Sequence, residues 1–302
     1  MKKILLFFNP TAGRTQVAEE FLLSRINLTF PALENLHSHI LKGENKSPES
    51  IKKSLDLFQW DLVIVAGGDG TVRRIVEVFI KDNYSYPLGI LPLGSANGLA
   101  TCLGMSELEE ALEAMAANDS TEMDILTIND NICLHLSDFG FNAGLVAKYE
   151  QIEGRGMITY LKGALSELFE NKPYQFNLQI NGKEIQVMAR MLLIANGNQY
   201  GTGAIINPAG RIDDGMFEIL AFNPDGIDEI VNFFYHLMRG ELKSCDFVKT
   251  WKCTEATIQN PDGATFQIDG DVERDVRKAK IGIMKNRLKV IINPSEIKKG
   301  SE

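Results

Sequence analysis

Asp69 stands inside the run GGDGT (67–71), where a carboxylate is out of place. An apolar stretch, DLVIVA (61–66), feeds the two glycines, and helical sequence follows from Thr71. Glycines at a strand-to-helix turn let backbone approach an anion, and the helix start adds free N–H groups and a positive dipole end. That combination suits phosphate, which Asp69 would repel unless a cation lay between them. A hard divalent ion such as Mg²⁺ resolves the conflict by bridging carboxylate and phosphate, usually through water. The competing reading is a tight turn in which Asp69 caps a helix. The run is not a Walker A loop, since no Gly-Lys-Ser/Thr follows, and it is not G-x-G-x-x-G.

Two more loops carry polar groups after apolar runs. NPTAG (9–13) follows KILLFF and offers Asn9, Thr11 and a turn-forming Gly13. LPLGSANGLA (91–100) follows LGIL and offers Gly94, Ser95 and Asn97 before a small-residue helix. Three such loops converging on one crevice are much harder to produce by chance than any one of them.

The elements that must position these loops alternate over the first ~125 residues. KILLFF (3–8), DLVIVA (61–66) and LGIL (88–91) are continuous apolar runs, as in parallel strands covered on both faces. Helical patterns fill Thr15–Ile26, Pro48–Gln59, Thr71–Lys81 and 106–119, the last opening on a capping-box spacing of Ser106 and Glu109. This alternation predicts a doubly wound α/β domain over 1–124, with ligands at the carboxyl ends of the strands. From about residue 125 strand patterns dominate, interrupted by helical patterns near 157–170 and 226–239. Asn181-Gly182 marks a two-residue hairpin and Pro261-Asp262-Gly263 a further turn. Residues 125–302 therefore read as a β-rich sandwich domain, with a return of the last residues to the first domain left open.

Composition narrows the partners. A formal net charge of −9 over 302 residues disfavours nucleic acid. Cys102, Cys133, Cys245 and Cys253 show no C-x-x-C spacing, which argues against zinc and for a reducing, cytoplasmic compartment. The opening apolar run, Ile4–Phe8, is shorter than a secretory core and reads as a buried first strand. His37 and His39 alternate in HSHI as two ligands would, but a solvated strand edge accounts for them. The basic stretch 274–289 could touch anionic head groups, or be a solvated strand surface. Phe233, Phe234, Tyr235, Leu237 and Met238 could line an acyl pocket, with core packing the default.

Taken in order and spacing, NPTAG, GGDGT and PLGSANGLA resemble the catalytic domain of the diacylglycerol kinase and sphingosine kinase family, especially bacterial soluble lipid kinases. EMDILTI, FGFNAGLV, GRGMITYLKGAL, ANGNQYGTGAIINPAGRIDDGMFEIL and FQIDGDV extend the resemblance over nearly the whole chain. GGDGT alone is shared with NAD kinases and, in variant form, phosphofructokinases. The resemblance implies an NAD-kinase-like first domain and phosphorylation of a lipid hydroxyl by ATP with Mg²⁺ in an interdomain cleft. It implies transient membrane association and leaves a homodimer open. It places Asn9, Thr11, Gly67, Gly68, Gly70, Thr71, Gly94, Ser95 and Asn97 at the nucleotide. By the same resemblance Asp69, with Asp124, is expected to join the metal–water network, and Asp269 is the candidate general base. The resemblance further implies a structural metal at Asp214 with the carbonyls of Arg211 and Met216.

The chain departs from the pattern at three places: Gly98, Asn142 and Asp271 stand where bacterial relatives carry aspartate, aspartate and glutamate. The Ser-x-Asn form of the third loop is closer to sphingosine and ceramide kinases. The competing functions are a small-molecule kinase of the NAD-kinase type and a catalytically silent lipid- or nucleotide-binding protein. The sequence does not select the lipid.

Overall fold

The structure, a computed structural model, describes residues 2–13, 17–140, 172–198, 207, 210–224, 226, 229 and 245–294. Chain packing divides them into two compact units. The first holds the described residues up to Asp124 and those from Lys285 on; the second holds those from Ile125 to Met284.

In the first unit, β1 (Lys2–Phe8), α1 (Glu19–Thr29), β2 (Leu33–Ile40), α2 (Pro48–Leu55), β3 (Leu62–Gly67), α3 (Asp69–Asp82) and β4 (Leu88–Pro92) follow in turn. Then come α4 (Gly98–Cys102), α5 (Leu108–Ala117) and β5 (Ser120–Ile128), which runs on into the second unit. Strands β2-β1-β3-β4 lie side by side and parallel. Ile4–Phe8 and all of β3 are buried, as expected of strands covered on both faces. Val72, Ile75, Val76 and Phe79 recur at helical spacing and form the buried face of α3.

Helix ends differ from the sequence expectation for local reasons. α1 begins at Glu19, not Thr15. α2 stops at Leu55 because the Trp60 indole N–H donates to the carbonyls of Ser54 (3.2 Å) and Leu55 (3.1 Å). At α5 the cap sits one residue later than Ser106/Glu109: Glu110 accepts from the N–H groups of Ser106 and Glu107 and from the Ser106 hydroxyl. His39 is not on a solvated edge. It is buried, with Nε2 2.8 Å from the Asn45 carbonyl and Nδ1 2.7 Å from the Ser54 hydroxyl.

The second unit is antiparallel. One sheet runs β12 (Val248–Cys253), β11 (Phe217–Phe222), β10 (Met191–Ala195), β7 (Leu136–Phe139), β14 (Phe266–Ile268), β15 (Asp271–Glu273). The other contains β9 (Lys183–Ala189), β8 (Tyr174–Ile180), β13 (Ala256–Gln259) and the first half of β16 (Lys278–Ile291). The far end of β16 belongs to the first unit, where Val290 pairs with Leu88 of β4. β6 (Asn131–Cys133) folds back on β5. The Asn181-Gly182 hairpin forms as expected, with positive φ at both residues, joining Ile180 to Lys183. Side chains of both sheets share one core; Phe139 stacks on Phe266 (centroids 4.3 Å) and meets Phe176 (5.6 Å). The helices expected near 157–170 and 226–239 lie outside the described residues, apart from Gly226 and Glu229, as do Phe233, Phe234, Tyr235, Leu237 and Met238.

Phe139 is the ring both sheets close on. Phe139→Ala is expected to destabilise the second unit by about 3–5 kcal/mol, measured by urea denaturation, against less than about 0.5 kcal/mol for a surface change such as Gln179→Ala.

Candidate active site

The strand order β2-β1-β3-β4 reverses direction between β1 and β3, since the chain first steps from β1 to β2 and then across to the other side. At such a point loops leave the carboxyl ends of two neighbouring strands in opposite directions and open a crevice. NPTAG leaves β1, GGDGT leaves β3, and LPLGSAN leaves β4 beside them.

Glycines let the three loops touch. A Cβ on Gly94 would lie 2.5 Å from the Cα of Gly68, and one on Gly13, already at φ +68°, 2.1 Å from the Leu93 carbonyl oxygen. A Cβ on Gly67 would meet the Thr71 side chain at 2.7 Å. These three glycines and Gly68 are thus required by loop packing itself. Gly70 is different. Among the described residues nothing lies within 4 Å of a Cβ built there, and its φ is not in the left-handed region, so those residues give no reason for glycine at this position.

Side chains lock the same loops. Asn9 Nδ2 donates to Thr71 Oγ1 (2.8 Å), while Asn9 Oδ1 accepts from the N–H (3.2 Å) and hydroxyl (2.9 Å) of Thr11. Asn97, in the left-handed region, closes its own loop by accepting from Gly94 N–H (2.7 Å) and donating to Gly94 C=O (2.9 Å). Ser95 is exposed and its hydroxyl has no hydrogen-bond partner among the described residues.

Asp69 faces away from its own helix end. Its Oδ2 accepts from Gly98 N–H (2.9 Å) and its Oδ1 from Leu99 N–H (3.1 Å), so it joins the start of α3 to the start of α4. Gly68, at the N-cap of α3, supplies no side-chain acceptor. The N–H groups of Asp69 and Gly70 head a 14-residue helix and find no acceptor within it. The result is an uncapped helix start, with open space over Gly70 among the described residues, a fit for an anion. Gly98, one of the three departures from the family pattern, is buried and uses its N–H on Asp69.

The other expected acids sit apart in their bonding. Asp124 on β5 is fully buried and accepts from Asn286 N–H (2.7 Å) within the first unit. Asp269 and Gly270, both at positive φ, form the two-residue turn between β14 and β15. The Asp269 carboxylate folds back and accepts from the N–H groups of Leu134 (2.8 Å), His135 (2.9 Å) and Leu136 (3.3 Å). Asp271 is exposed. Asn142 lies outside the described residues. Among the described residues no cluster of three or more His, Cys, Asp or Glu side chains is placed to hold a metal.

Asp214 meets a cation from its own chain. Lys252 Nζ is 2.6 Å from Asp214 Oδ2 and 3.3 Å from Glu218 Oε1. The remaining Asp214 oxygen accepts from Met216 N–H (2.9 Å). Arg211 points its guanidinium at Asp213 (3.1 Å), which raises its pKa. Buried Glu218 also accepts from Asn207 Nδ2 (2.7 Å); desolvation raises its pKa against the opposing pull of Asn207 and Lys252. Burial, aided by Glu218, pushes the neighbouring Cys253 thiol up to about 12. Sequence reasoning missed Lys252, Glu218 and Asn207. The one readable signal is an acid inside an apolar strand, FEILAF; its partner is set by strand register, in which Glu218 faces Lys252.

The diacylglycerol kinase catalytic domain profile matches residues 3–128, and the YegS C-terminal NAD kinase beta sandwich-like domain profile matches 138–292. A protein of Enterobacter sp. (strain 638) named "Probable lipid kinase YegS-like" is 32% identical over 221 residues, 70% of this chain and 71% of the relative. The diacylglycerol kinase of Bacillus subtilis (strain 168) is 22% identical over 277 residues, 90% of each chain. The fold matches a diacylglycerol kinase crystal structure from Bacillus anthracis str. Sterne with TM-score 0.78 at 21% identity, covering 97% of this chain and 98% of the other. It also matches an ATP-bound NAD kinase from Archaeoglobus fulgidus with TM-score 0.54 at 13% identity, covering 98% and 96%. With an α/β catalytic domain and a β-sandwich each matched over its length, the chain belongs to the YegS and diacylglycerol kinase family of lipid kinases, which are phosphotransferases.

Proposed function

We propose that the protein transfers the γ-phosphoryl group of ATP to the hydroxyl of a diacylglycerol-like or sphingoid-like lipid, with Mg²⁺. The observation that carries this reading is the uncapped start of α3 with unfilled space over Gly70, at the switch point of a parallel sheet. The N–H groups of Asp69 and Gly70 would receive phosphate oxygens, and the exposed Ser95 hydroxyl is free to add a donor. Asn9, Thr11, Thr71 and Asn97 keep the loops in place through bonds to one another and to backbone.

Nucleotide-carried Mg²⁺ needs only one or two protein carboxylates. Asp69 fits that demand: each oxygen accepts one N–H and keeps a further lone pair. Asp124 is the second candidate. The ion would supply charge neutralisation at the phosphates. Asp269 is the proposed acceptor of the lipid hydroxyl proton; three backbone N–H groups fix its orientation, so the carboxylate is preorganised for that role. The lipid approaches from a membrane surface. No helix among the described residues is long and apolar enough to cross one.

The reading is tested with labelled ATP, Mg²⁺ and a total-lipid extract, the product lipid being resolved by chromatography. Label in lipid is the expected result. Label in a water-soluble acceptor would favour the small-molecule kinase, and none would favour the silent binder.

Three substitutions separate the roles. Gly70→Ala adds a methyl that meets none of the described residues within 4 Å, so the thermal midpoint should stay level or rise, by up to about 1 kcal/mol in stability, while ATP affinity by calorimetry falls at least ~10-fold. Undiminished affinity would move the phosphates away from Gly70. Asp69→Asn keeps one oxygen for α4 but presents an NH₂ to the other N–H. It should cost about 1–2 kcal/mol of stability and at least ~10² in turnover. Turnover near wild type at saturating Mg²⁺ would limit Asp69 to its bridging bonds. Asp269→Asn should lower kcat by ~10²–10⁴ with little change in ATP affinity. Normal kcat in the folded variant would leave Asp269 only its strand-bracing role.

A further inference from the structure

Family resemblance places a structural divalent ion at Asp214, but the groups around that carboxylate do not fit one. An ion ligated by Asp214 would stand ~2.1 Å from its oxygen, and the Lys252 ammonium is already 2.6 Å from the same carboxylate. Two cations would then share one acid at close range. The second oxygen accepts from Met216 N–H, which tightens the turn through Gly215 at φ +71°, so its one remaining lone pair lies on the carboxylate that the ammonium already neutralises. The lysine is not a chance surface contact. Register sets Lys252 directly across from Glu218 on β11, so the ammonium reaches two carboxylates at once. Glu218 has only 3% of its side chain exposed, and its other oxygen is held by Asn207, itself bonded to the Gly197 carbonyl (3.2 Å). Packing fixes this frame: a Cβ on Gly210 would lie 2.3 Å from Asn207 Nδ2.

We infer that Lys252 is the resident cation of the 210–216 loop, replacing a divalent ion at Asp214 and making the fold of the second unit independent of metal. A cation carried on the neighbouring strand is present at unit occupancy whatever the free-ion concentration, which a bound Mg²⁺ is not. The proposal concerns the fold and does not depend on which acceptor the kinase uses.

Thermal unfolding of the full chain, free of nucleotide and lipid, is compared in EDTA and in millimolar MgCl₂ or MnCl₂, with Mn²⁺ binding followed by electron paramagnetic resonance. The wild-type midpoint should be the same in both media. Lys252→Met should melt lower in EDTA, recover with Mg²⁺ or Mn²⁺, and gain a Mn²⁺ site that is absent from Lys252→Met/Asp214→Asn. Lys252→Arg, which keeps the charge, should fold and stay indifferent to metal. A wild-type midpoint that falls in EDTA and is restored by Mg²⁺, with Asp214→Asn abolishing the response, overturns the proposal. So does a folded Lys252→Met that gains no metal response, because the lysine would then replace nothing. If Lys252→Met does not fold, the wild-type response and Lys252→Arg still decide.

Discussion

The first unit turns on a backbone contact that tolerates no side chain. Gly68 and Gly94 meet so closely that a Cβ on Gly94 would lie 2.5 Å from the Cα of its neighbour. Interiors are packed too densely to absorb such an intrusion without moving the loops apart. The contact brings the ends of β3 and β4 together, and this lets Asp69 reach the start of α4. Asn9 and Thr71 add the end of β1 to the same assembly. The conflict of a carboxylate in a phosphate-type loop is thereby eased: the two N–H groups at the start of α4 offset part of its charge and turn it away from the start of α3.

The second unit solves a related problem with an acid in place of glycine. At the turn between β14 and β15, Asp269 takes a backbone conformation that few residues other than Gly, Asn and Asp accept. Its carboxylate then gathers three consecutive N–H groups at the start of β7. Those donors would otherwise need water or another strand. One side chain thus fixes the hairpin and the neighbouring strand, and the same rigidity suits an atom that has to meet a substrate in one orientation.

Much of this was legible because it is local. Continuous apolar runs announced β1, β3 and β4, and Asn181-Gly182 announced its hairpin from dihedral preference alone. Helix ends were less legible, because they depend on particular nearby side-chain bonds that residue pattern does not specify: Trp60 stops α2, and Glu110 starts α5 one residue later than the nearest capping pattern suggests. His39 looked like an edge residue because alternation cannot tell solvent from the far side of a helix. At the candidate site the motifs marked loops that the fold brings into contact. They could not show that most of those glycines serve loop packing and that Gly70 does not, a distinction made by atoms far away in the chain, such as Leu93 over Gly13. The Lys252 pairing was invisible for the same reason, since it exists only once β11 and β12 are in register.

The return of β16 to the first unit has a consequence for synthesis on the ribosome. Chains emerge N-terminus first, so the parallel sheet that carries the three loops appears early and then waits. Leu288, Val290 and Ile291 are buried, and Val290 is the residue that lies against β4. Until they arrive, more than 150 residues after the rest of that unit, the flank of β4 presents unpaired backbone groups and an apolar strip to solvent or to a chaperone. The intervening β-sandwich is therefore an insertion within the first unit's folding sequence. A nascent chain stalled before Lys278 would expose an open sheet edge next to finished phosphate-type loops, the kind of species that aggregates by strand addition.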